Sequence, residues 1–283
     1  MNDTALMIRL LGRLKKEMNG AVAEAMQRRG LNYPLNYGVS VPTIRSIAGE
    51  YGTSHSLAML LYRQQVRELK LAAAFVDDPQ QVTPDQMRLW ADGFANTELV
   101  EQVVYNLFRK APGAERVALE WLASPKPLLR YAGLLTAAST VRPEMEQTMR
   151  QAFFDRIDQL VFREIDSSAV LRGIVTALRQ LARTGLSMRR MVEDRIAVYG
   201  AAARKVCRNR SPKNSGGSWN TSIRPGKLSE VDYFDILVFL FVECELIGRD
   251  SDVGRDLADS DFDGTRAVRI VIDTDGQSAL RIE

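Results

Sequence analysis

The chain has 283 residues, of which 46% are hydrophobic and 26% are charged, as in an ordinary soluble globular protein. This composition excludes a wholly disordered chain, and no run approaches the roughly 18 uncharged apolar residues of a membrane-spanning helix. Charged residues interrupt the apolar ones throughout the first 30 positions. We therefore expect no cleaved secretion signal, no membrane partner and a cytoplasmic protein.

The net charge of +3 hides an uneven distribution along the chain. Residues 1–227 hold 33 basic and 21 acidic side chains, whereas residues 228–283 hold 5 and 14, so the two parts carry net charges of +12 and −9. A basic body of this size attracts polyanions, although a solvated surface explains the same charges. The acidic tail is suited to cover that basic surface, to repel nucleic acid or to keep the chain end soluble.

The N-terminal segment has a helical pattern. Apolar residues recur every three or four positions from Thr4 to about Arg29, and Gly30 follows where a helix ends. We therefore expect one helix over this whole span.

The next segment, residues 36–48, predicts a tight turn that enters a helix. Gly38 allows a tight backbone, Ser40 is a good helix cap, and Pro42 suits a first helical turn. The apolar residues that follow form one helix face, so we expect Arg45 to point away from that face.

Further helices are predicted up to residue 206, with short joints that contain proline or glycine between them. Their approximate ranges are 41–51, 55–63, 66–76, 84–94, 97–109, 114–122, 126–140, 143–159, 168–184 and 187–206. No convincing alternating strand precedes residue 260. The pattern therefore indicates an all-α body of antiparallel helix pairs.

Three of these helices share a loose self-similarity. Residues 66–72, 129–135 and 171–177 each place an arginine before a small and apolar helix face. Their starts are 63 and 42 residues apart, with another helix in the longer gap, which approximates the two-helix period of HEAT-like repeats. We therefore favour a curved HEAT-like solenoid, and an irregular helical bundle with the same apolar periods is the alternative.

The character of the chain changes near residue 206. We predict a helical-repeat domain over residues 1–206, a basic and polar linker over 207–228, and an acidic extension over 229–283. The extension is expected to be a small α/β unit of helix plus hairpin, or to be partly disordered.

Within the acidic extension, a helix is predicted over 230–247 and two strands over 267–272 and 278–282. Residues 259–264 imitate the first half of a calcium-binding loop. Ile270 stands where such a loop needs its bidentate glutamate, so an acidic loop is the preferred interpretation.

Side chains with metal or redox chemistry are few. Cys207 and Cys244 have no paired metal spacing and support neither a disulfide framework nor a zinc site, so no metal or cofactor is expected. His55 stands near a predicted helix start and is expected at the surface. Trp90 and Trp121 occupy apolar helix periods and are expected in the core.

With the helix pairs in place, residues 26–48 resemble the N-terminal part of AlkD-type DNA alkylation repair proteins. The resemblance extends over about residues 1–185 through 66–74, 96–101, 128–132 and 176–180. Members of that family are HEAT-like solenoids that bind duplex DNA on a concave basic face and excise cationic alkylpurines without a metal or organic cofactor. The resemblance implies a DNA-binding repair protein, with DNA glycosylase activity towards N3- or N7-alkylpurines.

The resemblance also implies a catalytic acid. Glu101 matches the family's acidic residue, which lies near the damaged nucleotide and stabilises the positive charge that develops on the sugar. Thr97 and Thr176 stand where the family has tryptophans that pack against that nucleotide.

Four basic residues are the predicted DNA contacts. Arg130 and Arg179 match family arginines that bind the DNA backbone, and Lys126 and Arg172 extend the same face. Arg183, Arg189 and Arg190 are further candidates for this face. The alternative function is a non-catalytic HEAT-like scaffold that binds DNA or a protein partner, which the two threonines favour.

Overall fold

The computed structural model describes residues 2–163, 167–210, 268–272 and 278–282. The chain divides into two compact units, Met1–Cys244 and Glu245–Glu283. The described part of the first unit is built from α-helices, and the described part of the second consists of two strands. The predicted linker and domain boundaries remain predictions, because residues 211–267 lie outside the described part.

The described helices and strands have the following bounds. They are α1 Asp3–Lys16, α2 Gly20–Arg28, α3 Val41–Gly49, α4 His55–Tyr62, α5 Arg67–Val76, α6 Pro84–Ala91, α7 Thr97–Asn106, a 3-10 turn Phe108–Lys110, α8 Ala114–Leu122, α9 Pro127–Thr140, α10 Gln147–Arg163, α11 Ser168–Ala182, α12 Leu186–Arg210, β1 Val268–Ile272 and β2 Ser278–Ile282.

Alternate helices form two stacked layers in the first unit. Helices α3, α5, α7, α9 and α11 each pack against the next member of this series, which we call the odd layer. Helix α8 packs against α6 and α10 on the other side, and α4 packs against α5. We call α4, α6, α8 and α10 the even layer. This pairing is the all-α architecture that the sequence predicts.

The predicted single helix over residues 4–29 is wrong, because the structure contains two helices there. Helix α1 ends at Lys16, and α2 begins at Gly20. The side chain of Asn19 accepts a hydrogen bond from the N–H of Val22 at 3.2 Å, which caps α2. The N–H of Asn19 in turn donates to the carbonyl of Tyr37 at 2.8 Å. The break therefore ties this hairpin of helices to the following loop, which apolar periodicity alone does not indicate.

The loop before α3 has the conformation that its sequence predicts. Gly38 has a φ of +70°, and a Cβ atom there would overlap the carbonyl oxygen of Asn19. The hydroxyl of Ser40 accepts from the N–H of Thr43 at 3.2 Å, as expected for a helix cap. The buried carboxylate of Glu68 accepts from the N–H groups of Tyr37 and Val39 at 3.1 and 3.3 Å. Helix α5 thus fixes the shape of this loop.

The core runs between the two layers. Trp90 and Trp121 are 1% and 4% exposed, which confirms the prediction that they are core residues. His55 begins α4, but it is only partly exposed and its Nδ1 lies 2.8 Å from the carboxylate of Asp77. The imidazole is therefore a partner of a buried acid as well as a surface group.

The second unit contains the predicted strands. Strands β1 and β2 pair antiparallel, with Val268 opposite Ile282 and Ile272 opposite Ser278. The predicted helix over 230–247 and the acidic loop over 259–264 lie outside the described residues. Among the residues that are described, no helix is long and apolar enough to cross a membrane.

Candidate functional site

The side of the odd layer that faces away from the even layer carries polar side chains, and we call it the open face. Its side chains come from α3, α7 and α11 and from the turns after α7 and α11, and they range from partly to fully exposed. They are Arg45, Glu101, Tyr105, Asn106, Arg109, Arg172, Thr176, Arg179, Gln180 and Arg183. Helix α11 supplies the largest share, because residues spaced by three or four positions line one side of a helix.

The centre of the open face is a cluster formed by Glu101, Tyr131 and Arg172. The hydroxyl of Tyr131 donates to the Oε1 atom of Glu101 at 2.6 Å. The Nη2 atom of Arg172 lies 3.4 Å from the same oxygen, and the Arg172 guanidinium lies 5.4 Å from the centre of the Tyr131 ring. Burial and the nearby Glu101 carboxylate raise the pKa of the Tyr131 hydroxyl, which therefore stays protonated and remains a donor.

The close packing of α9 and α11 makes this cluster possible. A Cβ atom at Gly173 would lie 2.8 Å from side-chain atoms of both Tyr131 and Leu134. Only a residue without a side chain lets α11 approach α9 to this distance. Arg172, the preceding residue, is thereby held above the ring of Tyr131 and within reach of α7.

A second bridge and a groove lie beside the cluster. The side chain of Tyr105, one turn after Glu101, lies close enough to the side chain of Gln180 on α11 to interact with it. Burial and the charge of Glu101 raise the pKa of Tyr105. An open groove of about 430 Å³ continues from Gln180 towards the ends of these helices. Its polar lining includes Arg109 and Arg142.

Arg45 reaches the open face from α3. Its guanidinium lies 4.9 Å from the centre of the Phe75 ring on α5, and its Nη2 atom donates to the side chain of Asn106 on α7 at 2.7 Å. This places a cation over the N-terminal half of the odd layer. The prediction that Arg45 turns away from the apolar side of α3 is confirmed.

The structure brings together two of the five predicted site residues, Glu101 and Arg172. Arg179 is partly exposed, two turns after Arg172 on α11. Lys126 and Arg130 lie at the start of α9. The Lys126 side chain is 66% exposed and its Nζ lies 3.6 Å from Asp92, whereas Arg130 is only 9% exposed and its Nε donates to the carbonyl of Ser124 at 2.6 Å.

The other sequence candidates occupy different positions. Thr97 is the first residue of α7, Thr176 lies one turn after Arg172, and both are partly exposed. Arg183 and Arg190 are exposed, and Arg189 pairs with Glu193 at 2.8 Å on α12. The described residues contain no group of three or more His, Cys, Asp or Glu side chains arranged to hold a metal ion.

Sequence reasoning missed the tyrosines of the site. Tyr131 follows Arg130 directly, and Tyr105 stands four residues after Glu101, so both lie in segments that the sequence analysis singles out. A search for polar residues at helical spacing around Glu101 would have found Tyr105. Tyr131 and Gln180 reach the site through helix packing, for which the sequence offers no comparable signal.

Comparison with known proteins gives one family and one fold. A family model described as DNA alkylation repair enzyme matches residues 10–195, which include the odd layer and the whole Glu101 cluster. No curated protein matches the chain. A solved structure from a new family of proteins related to the HEAT-like repeat DNA glycosylases with affinity for branched DNA structures is similar, with a TM-score of 0.56 and 16% identity over 71% of this chain and 83% of that chain. This likeness establishes the HEAT-like helical-repeat fold.

Proposed function

Because the chain belongs to the family of DNA alkylation repair enzymes, we propose that its open face binds duplex DNA through the phosphate backbone. The charge of α11 and the turn after it is the observation that supports this proposal most strongly. Helix α11 contains Arg172 and Arg179 and no acidic residue, and the exposed Arg183 follows directly. These three arginines are spaced to lie along one side of the helix, next to the groove that Arg109 and Arg142 line.

Guanidinium groups in this arrangement suit a phosphate backbone. Each can donate two parallel hydrogen bonds to phosphate oxygens, and such contacts carry no sequence information. Neighbouring packed helices are about 9 Å apart, so five helices in a row span about 36 Å. At 3.4 Å per base pair this length corresponds to about 10 base pairs of duplex.

The remaining predicted DNA contacts differ in how readily they reach a phosphate. Lys126 is mostly exposed and weakly paired, so a backbone contact needs only a side-chain rotation. Arg130 is buried and bound to the carbonyl of Ser124. We therefore expect its loss to affect folding more than DNA affinity.

Fluorescence anisotropy with labelled 20-base-pair DNA tests the binding proposal. Replacing Arg172 and Arg179 with Gln removes two phosphate contacts of about 1 kcal/mol each, which weakens binding roughly 30-fold. Arg116→Gln is the control, since Arg116 is exposed on α8 in the even layer. A parent that does not bind duplex DNA, or a control that weakens binding as much as the double variant, contradicts the proposal.

The same assay with a four-way junction establishes the form of DNA that is bound. The similar solved structure comes from proteins with affinity for branched DNA. Backbone contacts along about 10 base pairs require one continuous arm, so we expect junction and duplex affinities within a few-fold when the arms are that long. A junction bound far more tightly than the duplex would instead favour a protein that recognises branch points.

Base excision is the second candidate function, and the position of Glu101 favours it. Its carboxylate is held by Tyr131 at the centre of the open face, where a bound nucleotide would lie. During hydrolysis of a cationic alkylpurine nucleotide, the bond to C1′ breaks towards the base nitrogen, which neutralises the base, while positive charge develops on the sugar. A fixed carboxylate stabilises that charge and can orient the attacking water. Thr97 and Thr176 offer no aromatic surface, which favours the non-catalytic binding protein as the alternative.

A base-release assay on duplex DNA that carries methylated purines distinguishes the two. If Glu101 is catalytic, Glu101→Gln releases base at least 100-fold more slowly than the parent while its DNA binding is retained. Equal release by parent and variant would exclude Glu101 as the catalytic acid. No release by a parent that binds DNA would favour the non-catalytic protein.

A further inference from the structure

We propose that Glu101 is a specificity-determining residue that competes with DNA phosphate for Arg172, an inference that rests on the proposed DNA binding. This competition lowers the affinity for DNA that contains no positively charged nucleotide. The geometry of the central cluster supports an exchange of partners by Arg172. In the free protein the guanidinium faces the Glu101 carboxylate, and in the complex it faces a phosphate.

The contact between Arg172 and Glu101 is suited to break. A single nitrogen of Arg172 lies 3.4 Å from one carboxylate oxygen, beyond the usual length of a charged hydrogen bond, and the Arg172 side chain is 57% exposed. An exposed ion pair of this kind changes an equilibrium constant by at most about fivefold, because water and salt screen the attraction between the two charges. A bidentate contact with phosphate is stronger and better aligned.

Glu101, in contrast, is held in place. Tyr131, on α9 of the odd layer, donates to its carboxylate at 2.6 Å and is itself only 2% exposed. The position of Tyr131 is fixed in turn by its close contact with α11 at Gly173. When Arg172 leaves, the carboxylate therefore stays on the open face.

The carboxylate that remains then faces the DNA without its counterion. Its charge repels neighbouring phosphates, and Arg172 must give up one partner to gain another. Both effects weaken the binding of ordinary DNA. A nucleotide that carries a positive charge would replace the lost counterion and reduce the repulsion between Glu101 and the phosphates. Glu101 therefore favours the binding of cationic sites in DNA over ordinary sites.

A double-mutant cycle measured by anisotropy with undamaged duplex tests this inference. We expect Glu101→Gln to tighten binding about fivefold in the parent background and at most about twofold when Arg172 is already Gln. Gln keeps the shape of the side chain and an oxygen that can accept from Tyr131, and circular dichroism checks that each variant is folded.

The control is Glu120→Gln in the even layer. Glu120 also pairs with an arginine, through two bonds of 2.9 and 2.8 Å to Arg88, so the variant changes the net charge equally and removes a comparable ion pair. We expect a change in DNA affinity below twofold. If the parent binds DNA and Glu101→Gln binds no tighter than Glu120→Gln, or if the effects of the Glu101 and Arg172 variants simply add, the inference is overturned while DNA binding stands. If the parent does not bind, the proposed function itself fails.

Discussion

The buried ion network around Arg67 tests how the odd layer stabilises the loop before α3. The Nε and Nη2 atoms of Arg67 donate to both oxygens of Glu98 at 2.8 and 2.5 Å. Its Nη1 atom donates to the carbonyl of Val39 at 2.8 Å and to Glu68 at 3.1 Å. The side chains of Arg67, Glu68 and Glu98 are 3%, 0% and 15% exposed. One guanidinium thus serves two carboxylates, the fully buried one of Glu68 and the largely buried one of Glu98, which is also bound by the hydroxyl of Tyr33 at 2.7 Å.

Replacing Arg67 with Met keeps most of the volume and removes the charge. Two carboxylates then lose their counterion in a site with little water, and breaking a buried pair in this way costs about 3 to 5 kcal/mol. With a urea dependence of about 3 kcal/mol per molar, the unfolding midpoint is expected to fall by about 1 M or more.

Arg88→Met is the matched control for burial. Arg88 makes an equally complete two-bond pair with Glu120 and contacts Asp85 at 2.7 Å, but its side chain is 45% exposed. An exposed pair contributes about 1 kcal/mol or less, so the midpoint is expected to fall by about 0.3 M at most. Urea unfolding followed by circular dichroism measures both. Equal losses for Arg67→Met and Arg88→Met would refute the argument that burial decides the value of the pair.

Three further predictions concern stability. Gly38→Ala is expected to lower the free energy of unfolding by about 2 kcal/mol or more, because it combines a positive φ with steric overlap. Gly52→Ala is the control, since Gly52 has a φ of +67° but open space around it, and it is expected to cost about 1 kcal/mol. Equal losses of stability in urea would contradict this. Gly173→Ala is expected to destabilise the protein by about 1 to 3 kcal/mol, whereas Gly12→Ala, in an uncrowded helix position, is expected to stabilise it by about 0.5 to 1 kcal/mol. A Gly173→Ala protein more stable than the parent would contradict the close packing of α9 and α11. Burial raises the pKa of Asp77, so the folded state holds this proton more tightly than the unfolded chain does. The contribution of Asp77 to stability is therefore greatest below its ordinary pKa, and it is lost as pH rises through the raised pKa. The parent should therefore gain stability relative to Asp77→Asn as pH falls from 6 to 4, and a constant difference would contradict this.

The sequence predicts the helices well because their apolar spacing and caps are local properties. The predicted range 114–122 coincides with α8, and most other predicted ends differ from the structure by three residues or fewer. The exception before residue 30 has a tertiary cause, since the break at Asn19 is fixed by a hydrogen bond with Tyr37 from the next loop. Local periodicity carries no information about such a contact.

The site could be predicted only in part, for a related reason. The resemblance to a repair family points to Glu101, and Arg172 is predicted to extend the basic face of the family arginines. The structure places these two side chains 3.4 Å apart. It does not indicate that Tyr131 joins them, because that contact depends on how closely α11 packs against α9 at Gly173. The burial of Arg130 against the turn before α9 is likewise decided by the tertiary structure.

The salt dependence of duplex binding tests most directly the proposal that the open face binds DNA. The logarithm of the association constant falls linearly with the logarithm of salt concentration, with a slope of about −0.9 for each phosphate contact. We expect the Arg172→Gln and Arg179→Gln double variant to have a slope less steep by about 2 than the parent, and Arg116→Gln to keep the parent's slope. A double variant with the parent's slope would contradict DNA binding by this face.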